Sequence, residues 1–375
     1  MARRLLWITM IALAMLIAIA PMAAQETTVR GNLGGTVVDS TGAVIDDANV
    51  TVTGPLGSKV TQTDKEGHFT FPLLTPGFYS VTVAKGGFKS VTVKGSEVKT
   101  GVTTAVQVTM QPGGASETIE VSAAAVTVDT TSTAVSANLT DSFYNAVPVG
   151  RGVQSLFYIS PGVATSGESS YNPSISGGSA LENLYVADGV TINDQAYGGI
   201  GVVSALYGSL GTGINLSFIK EVQVKTAGFE PQYGNTTGGI VQIVTKSGGR
   251  EFHGSVGGYI SPQQLEATRL QIDDVRVNPQ GKLLHPTNYD ADAELGGYVP
   301  GFRNHIFFFG SFSPGYERQY WLAPPASGLA SIYNQSQITL YRDTYNYAGK
   351  LTLKLGDKHQ IESSAYGDPA HTSTG

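Results

Sequence analysis

The chain has 375 residues, 14% of them charged, with a formal net charge of −6, 47 glycines and no cysteine. So diffuse an acidic balance leaves no basic patch for nucleic acid, and the lack of cysteine removes disulfides, thiolate metal sites and cysteine nucleophiles together. Abundant Thr, Val and Ser beside the glycines favour strands and turns over helices, and the length allows two or three domains.

Arg3 and Arg4 precede an apolar run from Leu5 to Ala20, followed by Pro21-Met22-Ala23-Ala24-Gln25. A basic start, an apolar middle and small residues before a polar one describe a secretory signal peptide over residues 1–24, cleaved after Ala24. The apolar run approaches the roughly 20 residues that span a bilayer, so a retained signal anchor is the competing reading.

Residues 29–112 carry short alternating segments, Gly34 to Val38, Asn49 to Thr53, Gly67 to Phe71, Phe78 to Ala84, Val91 to Lys94 and Val102 to Met110. Strands at intervals of about ten residues predict an antiparallel β-sandwich. Phe69 and Phe71 share one face, and Tyr79, Val81 and Val83 repeat the period of two. Asp64 to Gly67 is expected to make a hairpin turn and Pro76-Gly77 another. Thr63-Asp64-Lys65-Glu66-Gly67-His68-Phe69-Thr70-Phe71, Leu74-Thr75-Pro76-Gly77-Phe78-Tyr79 and Gly87-Phe88 together resemble the carboxypeptidase regulatory-like, transthyretin-type domain, which is not itself a peptidase. His68 reads as a polar residue at a turn edge, because no partner has metal-ligand spacing.

Residues 113–125 open with the flexible linker Gly113-Gly114-Ala115-Ser116. Glu117, Thr118, Ile119, Glu120, Val121, Ser122 and Ala123 follow, and this stretch resembles a TonB box, by which TonB-dependent receptors engage the energy-transducing TonB protein. The implied chemistry is β-augmentation, in which backbone groups pair with a partner's sheet edge. A final strand or linker of the first domain is the alternative.

Residues 126–249 form the next unit. In Gly152 to Ser160, Val153, Leu156 and Phe157 fall on one helical face, and Pro161-Gly162 ends it. Val147-Pro148-Val149-Gly150-Arg151 with this helix resembles the LPLNGR…SLTPGV segment of Oar-like receptors, with Val and Val-Gly in place of Leu and Leu-Asn; Arg151 reads as a ligand or barrel contact or as an ordinary ion pair. Asp188-Gly189 between Leu184 to Ala187 and Val190 to Ile192 is a two-residue hairpin signal. It matches the family's N-x-x-x-DGV-x-x-ND segment over Asn183 to Asp194. Asp188 and Asp194 invite a metal reading, but Asp before Gly is what an αL-tolerant turn needs. Strands Ile219 to Thr226 and Gly239 to Lys246 complete a small α+β unit.

Ala227 to Tyr259 joins a glycine-rich turn, a β-branched strand, a Ser-Gly-Gly hinge and a new strand. Its YG-x-x-x-GG-x-V-x-x-VTKSG-x-x-EFHGS pattern resembles the boundary between plug and barrel in TonB-dependent outer-membrane receptors. Residues 126–249 are then the plug, and residues 250–375 open a transmembrane barrel. In Gly349 to Leu355, Leu351, Leu353 and Leu355 alternate with Lys350, Thr352 and Lys354 before the turn Gly356-Asp357-Lys358-His359, as an apolar-out, polar-in barrel hairpin requires. Further strands are expected at Phe252 to Ile260, Ala291 to Pro300, His305 to Gly315 and Gln360 to Tyr366, with a long outer loop from Ser261 to Tyr289. A soluble sheet is the alternative. About five strands fall short of the roughly eight that the smallest closed barrels need, so the sequence reads as a fragment of a longer protein.

No HExxH, Walker A or G-x-S-x-G pattern occurs, the Gly-rich Gly208 to Gly213 lacks dinucleotide-fold context, and the six histidines are scattered, so no enzyme, metal or cofactor is expected. The expected fold is mainly β: a transthyretin-like sandwich, an α+β plug and the first strands of a transmembrane barrel. The resemblance implies location in the outer membrane of a Gram-negative-type bacterium, with outer-membrane lipid, TonB and an external oligosaccharide, metal chelate or peptide as partners. An exported carbohydrate-binding or adhesive β-sandwich protein is the alternative function.

Overall fold

A computed structural model describes residues 29–114, 118–122, 135–150, 152–166, 169–179, 181–193, 199–200, 203–204, 208–209, 214–229, 233–234, 236–262, 265, 282–322, 337–356 and 359–374. The signal peptide, Glu117, Ala123, Arg151 and Asp194 lie outside the described residues.

Eight strands build the first domain: β1 (Gly31–Asp39), β2 (Asn49–Gly54), β3 (Gly57–Gln62), β4 (His68–Leu74), β5 (Gly77–Ala84), β6 (Ser90–Val98), β7 (Thr103–Met110) and β8 (Thr118–Ser122). They form two sheets, ordered β4-β1-β7 and β3-β2-β5-β6-β8. The period of two does its expected work. Val50, Val52, Val81 and Val83 point inward from one sheet and Leu33, Val37, Phe69, Phe71 and Met110 from the other, all within one core cluster. Burying each such side chain fully contributes about 1.5–3 kcal/mol. The Phe69 and Phe71 rings meet edge to face at 6.1 Å. Tyr79, also in this core, donates its hydroxyl to the Thr75 carbonyl at 2.8 Å, and burial holds its phenol far above the ordinary range.

Three features depart from the sequence expectation. The sandwich is not wholly antiparallel, since β1 runs parallel to β7 from Asn32↔Thr103 to Asp39↔Met110, and β6 runs parallel to β8. Alternation specifies which face a residue takes and says nothing about its neighbouring strand. The turn Asp64 to Gly67 is a corner between the two sheets rather than a hairpin: the Asp64 carboxylate accepts from the amides of Glu66 and His68, at 3.1 and 2.7 Å. The hairpin lies instead at Gly54↔Gly57, closing β2 onto β3.

The second unit contains β9 (Val135–Thr140), β10 (Val163–Ser166), β11 (Ser169–Ile175), β12 (Leu184–Ala187), β13 (Val190–Thr191), β14 (Val203–Ser204), β15 (Gly208–Ser209), β16 (Ile219–Ala227) and β17 (Ile240–Thr245). Its centre is a mixed five-stranded sheet, β13-β12-β17-β16-β9. The helices α1 (Asp141–Tyr144) and α2 (Gln154–Phe157) are single turns. The helix expected over Gly152 to Ser160 is therefore shorter, but its apolar face of Val153, Leu156 and Phe157 is fully engaged in the core with Tyr185, Phe218, Val222 and Ile243.

The third unit is one antiparallel sheet of β18 (His253–Ser261), β19 (Lys282–Tyr298), β20 (Ile306–Leu322), β21 (Gln337–Leu355), β22 (His359–Gly367) and β23 (Ala370–Thr374). β22 and β23 both pair with β21, at residues 347–355 and 340–344, so they make one strand broken near Asp368-Pro369. β19 and β20 have 17 residues and β21 has 19. At about 3.3 Å per residue these strands are much longer than the roughly 30 Å hydrocarbon layer. The long loop expected from Ser261 to Tyr289 is thereby shortened, because residues 282–289 belong to β19.

The sheet is two-faced. Phe307, Phe309, Ser311 and Ser313 of β20 and Ala348, Lys350 and Thr352 of β21 are buried. Their alternates Phe312, Tyr347, Leu351 and Leu355 are exposed, as are Val256 and Ile260 on β18 and Phe252 just before it. The buried face covers the second unit: Phe309 and Ala348 belong to its core cluster, and Tyr366 packs against it. The exposed face is the apolar one, the inverse of a soluble sheet and the pattern of a membrane barrel.

Candidate plug and coupling interfaces

The hairpin Asp188-Gly189 forms as the sequence predicts. Both residues take positive φ, +47° and +87°, the geometry of a two-residue turn of type I′. β12 before it pairs with β17, and the Asp188 amide donates to the Ile243 carbonyl at 2.9 Å. Asn193 anchors the other side, accepting from the Tyr185 amide at 2.8 Å and donating to the Asn183 carbonyl at 2.7 Å. Asn183 in turn donates to the Pro173 carbonyl and accepts from the Gly239 amide. The spacing of Asn183, Asp188 and Asn193 is therefore a wiring diagram for one rigid hairpin. Tyr185, buried within it, has its phenol pushed up to about 12 by desolvation, against the Asn183 hydrogen bond.

Asp188 also has a partner that the sequence reading did not foresee. Its carboxylate accepts from the Thr245 amide at 3.0 Å, from the Thr245 hydroxyl, and from Lys350 Nζ of β21 at 3.0 Å. The Lys350 and Asp188 side chains are only 4% and 7% exposed. Lys350 further donates to the Thr245 carbonyl at 3.2 Å. At the next position, Lys246 pairs with Glu294 of β19 at 2.7 Å, and Ser255 of β18 donates to the same carboxylate. Consecutive residues at the end of β17 thus fasten the small sheet to the inner face of the long strands. Alternation in Gly349 to Leu355 could show that Lys350 points inward, but not which carboxylate meets it.

The Ser247 to Arg250 hinge lies where the three units meet. A Cβ on Gly248 would lie 2.2 Å from the Phe308 carbonyl oxygen and 2.4 Å from that of Gly297, so glycine is required by close approach of two strand backbones. Arg250 donates its amide to the Pro55 carbonyl of the sandwich at 3.1 Å, and Arg30 pairs with Glu362 of β22 at 3.0 Å.

The sandwich meets the small sheet through Thr100. Its amide donates to the Glu221 carboxylate at 3.0 Å and its hydroxyl to the same oxygen at 3.0 Å. Its carbonyl accepts from Asn138 at 3.0 Å and Gln223 at 2.8 Å. Burial raises the Glu221 carboxyl above its ordinary value, opposed by the donors from Asn138 and Thr100.

Of the TonB-box candidate, the described residues are Thr118, Ile119, Glu120, Val121 and Ser122. They form β8, an edge strand pairing parallel with β6 from Ser90↔Thr118 to Lys94↔Ser122. Ile119 packs on the sandwich core and Glu120 pairs with Lys94 at 2.7 Å. The segment thus takes the final-strand conformation given as its alternative, extended and bonded through its backbone.

Among the described residues no group of three or more His, Cys, Asp or Glu side chains could hold a metal. His68 is exposed at the start of β4, and Asp188 is committed to Thr245 and Lys350.

Residues 32–111 match the carboxypeptidase regulatory-like domain family. Over 94% of its length the chain is 30% identical to the TonB-dependent transporter Oar of Myxococcus xanthus, and it spans 34% of that protein. Among solved structures it is similar to the outer-membrane transporter YddB of Escherichia coli, with 13% identity, a TM-score of 0.46, and coverage of 60% of this chain and 32% of that one. It is also similar to the siderophore receptor PirA of Acinetobacter baumannii, with 18% identity, a TM-score of 0.38, and coverage of 63% and 40%. Over nearly its whole length the chain is thus similar to a TonB-dependent transporter of which it spans about a third, and its residues 32–111 are a carboxypeptidase regulatory-like domain.

Proposed function

We propose that this chain is the N-terminal part of an outer-membrane transporter that takes up an external ligand and is energised by TonB. The observation that carries this reading is the buried fastening of a small mixed sheet to the inner face of long, outwardly apolar strands through Asp188 and Lys350. A plug so held closes a pathway, the ion pair fixing its register on strands whose Phe309 and Ala348 also share its apolar core.

In this mechanism the signal peptide directs export and is removed, and the sandwich stands in the periplasm. The ligand is an oligosaccharide, metal chelate or peptide that reaches the plug from the outer side. TonB pairs with residues 117–123 by β-augmentation and pulls, loosening the plug. The extended backbone and short edge-strand pairing of β8 support this assignment, since such a segment exchanges one strand partner for another without refolding.

Two measurements test the reading. Full-length protein should fractionate with outer membranes and show heat-modifiable migration in detergent; a soluble periplasmic product would exclude the receptor. Purified periplasmic domain of TonB should be retained by the full-length protein and lost when residues 117–123 are deleted. Equal retention by both forms would remove the box assignment while leaving the membrane assignment intact.

A further inference from the structure

The turn Lys99-Thr100-Gly101 joins β6 and β7 of the sandwich, yet its hydrogen bonds are directed at the plug. Thr100 is fully buried, and Glu221 and Gln223 are each 1% exposed. One residue uses its amide, hydroxyl and carbonyl on three plug side chains, Glu221 and Gln223 of β16 and Asn138 of β9. Gly101, at φ +67°, lies so close that an added Cβ would be 3.2 Å from the Gln223 amide. In the ladder, Thr140 stands opposite Glu221 and Asn138 opposite Gln223, so the contact straddles the β9–β16 seam.

That seam is special in the fold. β9 is the outermost strand of the plug sheet and has β16 as its only strand neighbour among the described residues. It is also the first described element after β8, from which residues 123–134 separate it. The sandwich therefore grips the chain on both sides of that stretch, through the β6–β8 ladder before it and the Thr100 contact after it.

We propose that the Lys99–Gly101 turn is a latch on the plug, holding edge strand β9 against β16 until the sandwich is drawn away. Tension on the segment after β8 reaches β9 first. An edge strand with a single backbone ladder would peel from the sheet one pair at a time. Asn138 ties its middle to the Thr100 carbonyl, which Gln223 of β16 also holds, so peeling has to break a bond to a second domain as well. The carboxylate of Glu221 makes the contact selective: without the Thr100 hydroxyl it loses one of its three described donor groups, the Thr100 amide and Asn138 remaining, while still excluded from water, which is costly for a buried charge. The plug is thereby closed by a domain that lies outside its own sheet.

That release serves uptake rests on the transport function proposed above, but the latch can be measured without it. Backbone hydrogen exchange of the full-length protein in detergent micelles reads the strands separately. Thr100→Ala changes only a sandwich residue, so a plug effect must cross the interface. We expect exchange in residues 135–140 to become roughly tenfold faster, the loss of about one hydrogen bond to a charged group, while residues 184–187 and 240–245 keep their protection. Asn138→Ala, which removes the bond from β9 itself to the Thr100 carbonyl, should loosen the same strand. Unchanged exchange in 135–140 in both variants, or an equal rise throughout the plug, overturns the latch. If exchange rises as expected but retention of the TonB periplasmic domain still ignores deletion of 117–123, the coupling reading fails and the latch stands.

Discussion

Asp188 and Lys350, separated by 162 positions in the chain, meet as a 3.0 Å ion pair buried between plug and barrel. The Asp is there because a left-handed turn needs a residue that tolerates positive φ, and the same carboxylate then serves as anchor. Both groups have additional partners in Thr245, which is the condition under which a buried pair is retained rather than replaced by apolar side chains.

Asp188→Asn keeps the turn, because Asn also tolerates the left-handed region, and so isolates the charge. Lys350 would then be buried without its counter-ion. The single variant should destabilise the plug–barrel contact by about 3–5 kcal/mol, and Lys350→Met by a similar amount. The double variant should recover much of the loss. Thermal unfolding of all four proteins gives the coupling energy, and simple additivity would show that the pair does not act as a unit.

Gly248→Ala tests the hinge. Its new methyl would have to displace the backbone of β19 or β20, neither of which is the free end of a flexible side chain. A loss of about 1–3 kcal/mol is expected from overpacking. Gly356→Ala, a turn glycine with open space around it and φ +69°, is the control that carries only the left-handed backbone cost. Heat-modifiable migration should shift more for Gly248→Ala than for the control.

How much of this was legible in the sequence depends on what each signal encodes. Asp188-Gly189, the sandwich valines and Leu351 to Leu355 were readable because turn chemistry and a period of two act locally. The parallel pairing of β1 with β7 was not, since both strands read the same whichever neighbour they take. The lower part of β21, from Gln337 to Ala348, escaped because Arg342, Asp343 and Asn346 interrupt the apolar alternation that Leu351 to Leu355 show farther along. Glu221, Gln223 and Lys225 are the instructive case. Their spacing by two looks like a solvated strand face, yet all three are buried. A partner domain and neighbouring loops cover that face, and one strand's pattern cannot report them.

Glu221 gives a pH dependence whose sign follows from its shift. Its carboxyl is raised in the folded protein above the ordinary value of 4.5, chiefly by desolvation. The stability linked to its protonation is thus fully present below about 4.5 and is lost as pH rises through the raised folded value. Plug unfolding temperature should fall across that window, beyond the trend of the remaining carboxylates. Glu221→Gln, which cannot ionise, should flatten the difference. A variant with the same slope as the parent would mean that Glu221 is charged throughout and that its Thr100 and Asn138 donors outweigh burial.

Val256 decides between a membrane barrel and a soluble sheet most directly. It is 87% exposed on β18, with Ile260 exposed on the same face four residues on and Phe252 exposed just before the strand. In water, an arginine at so open a strand position changes stability by about 0.5 kcal/mol or less. In a bilayer the same side chain costs about 2–4 kcal/mol at the midplane, falling to about 0–1 near the interface. Val256→Arg in the full-length protein should therefore lower the folded, heat-modifiable fraction in lipid vesicles. Glu251→Arg, before the strand and beside the sandwich junction, should leave that fraction unchanged. The comparison separates a general effect of added positive charge from one that depends on depth. Indifference at both positions would place β18 in water, and the outward apolar face of the long strands would then need a protein partner rather than lipid to cover it.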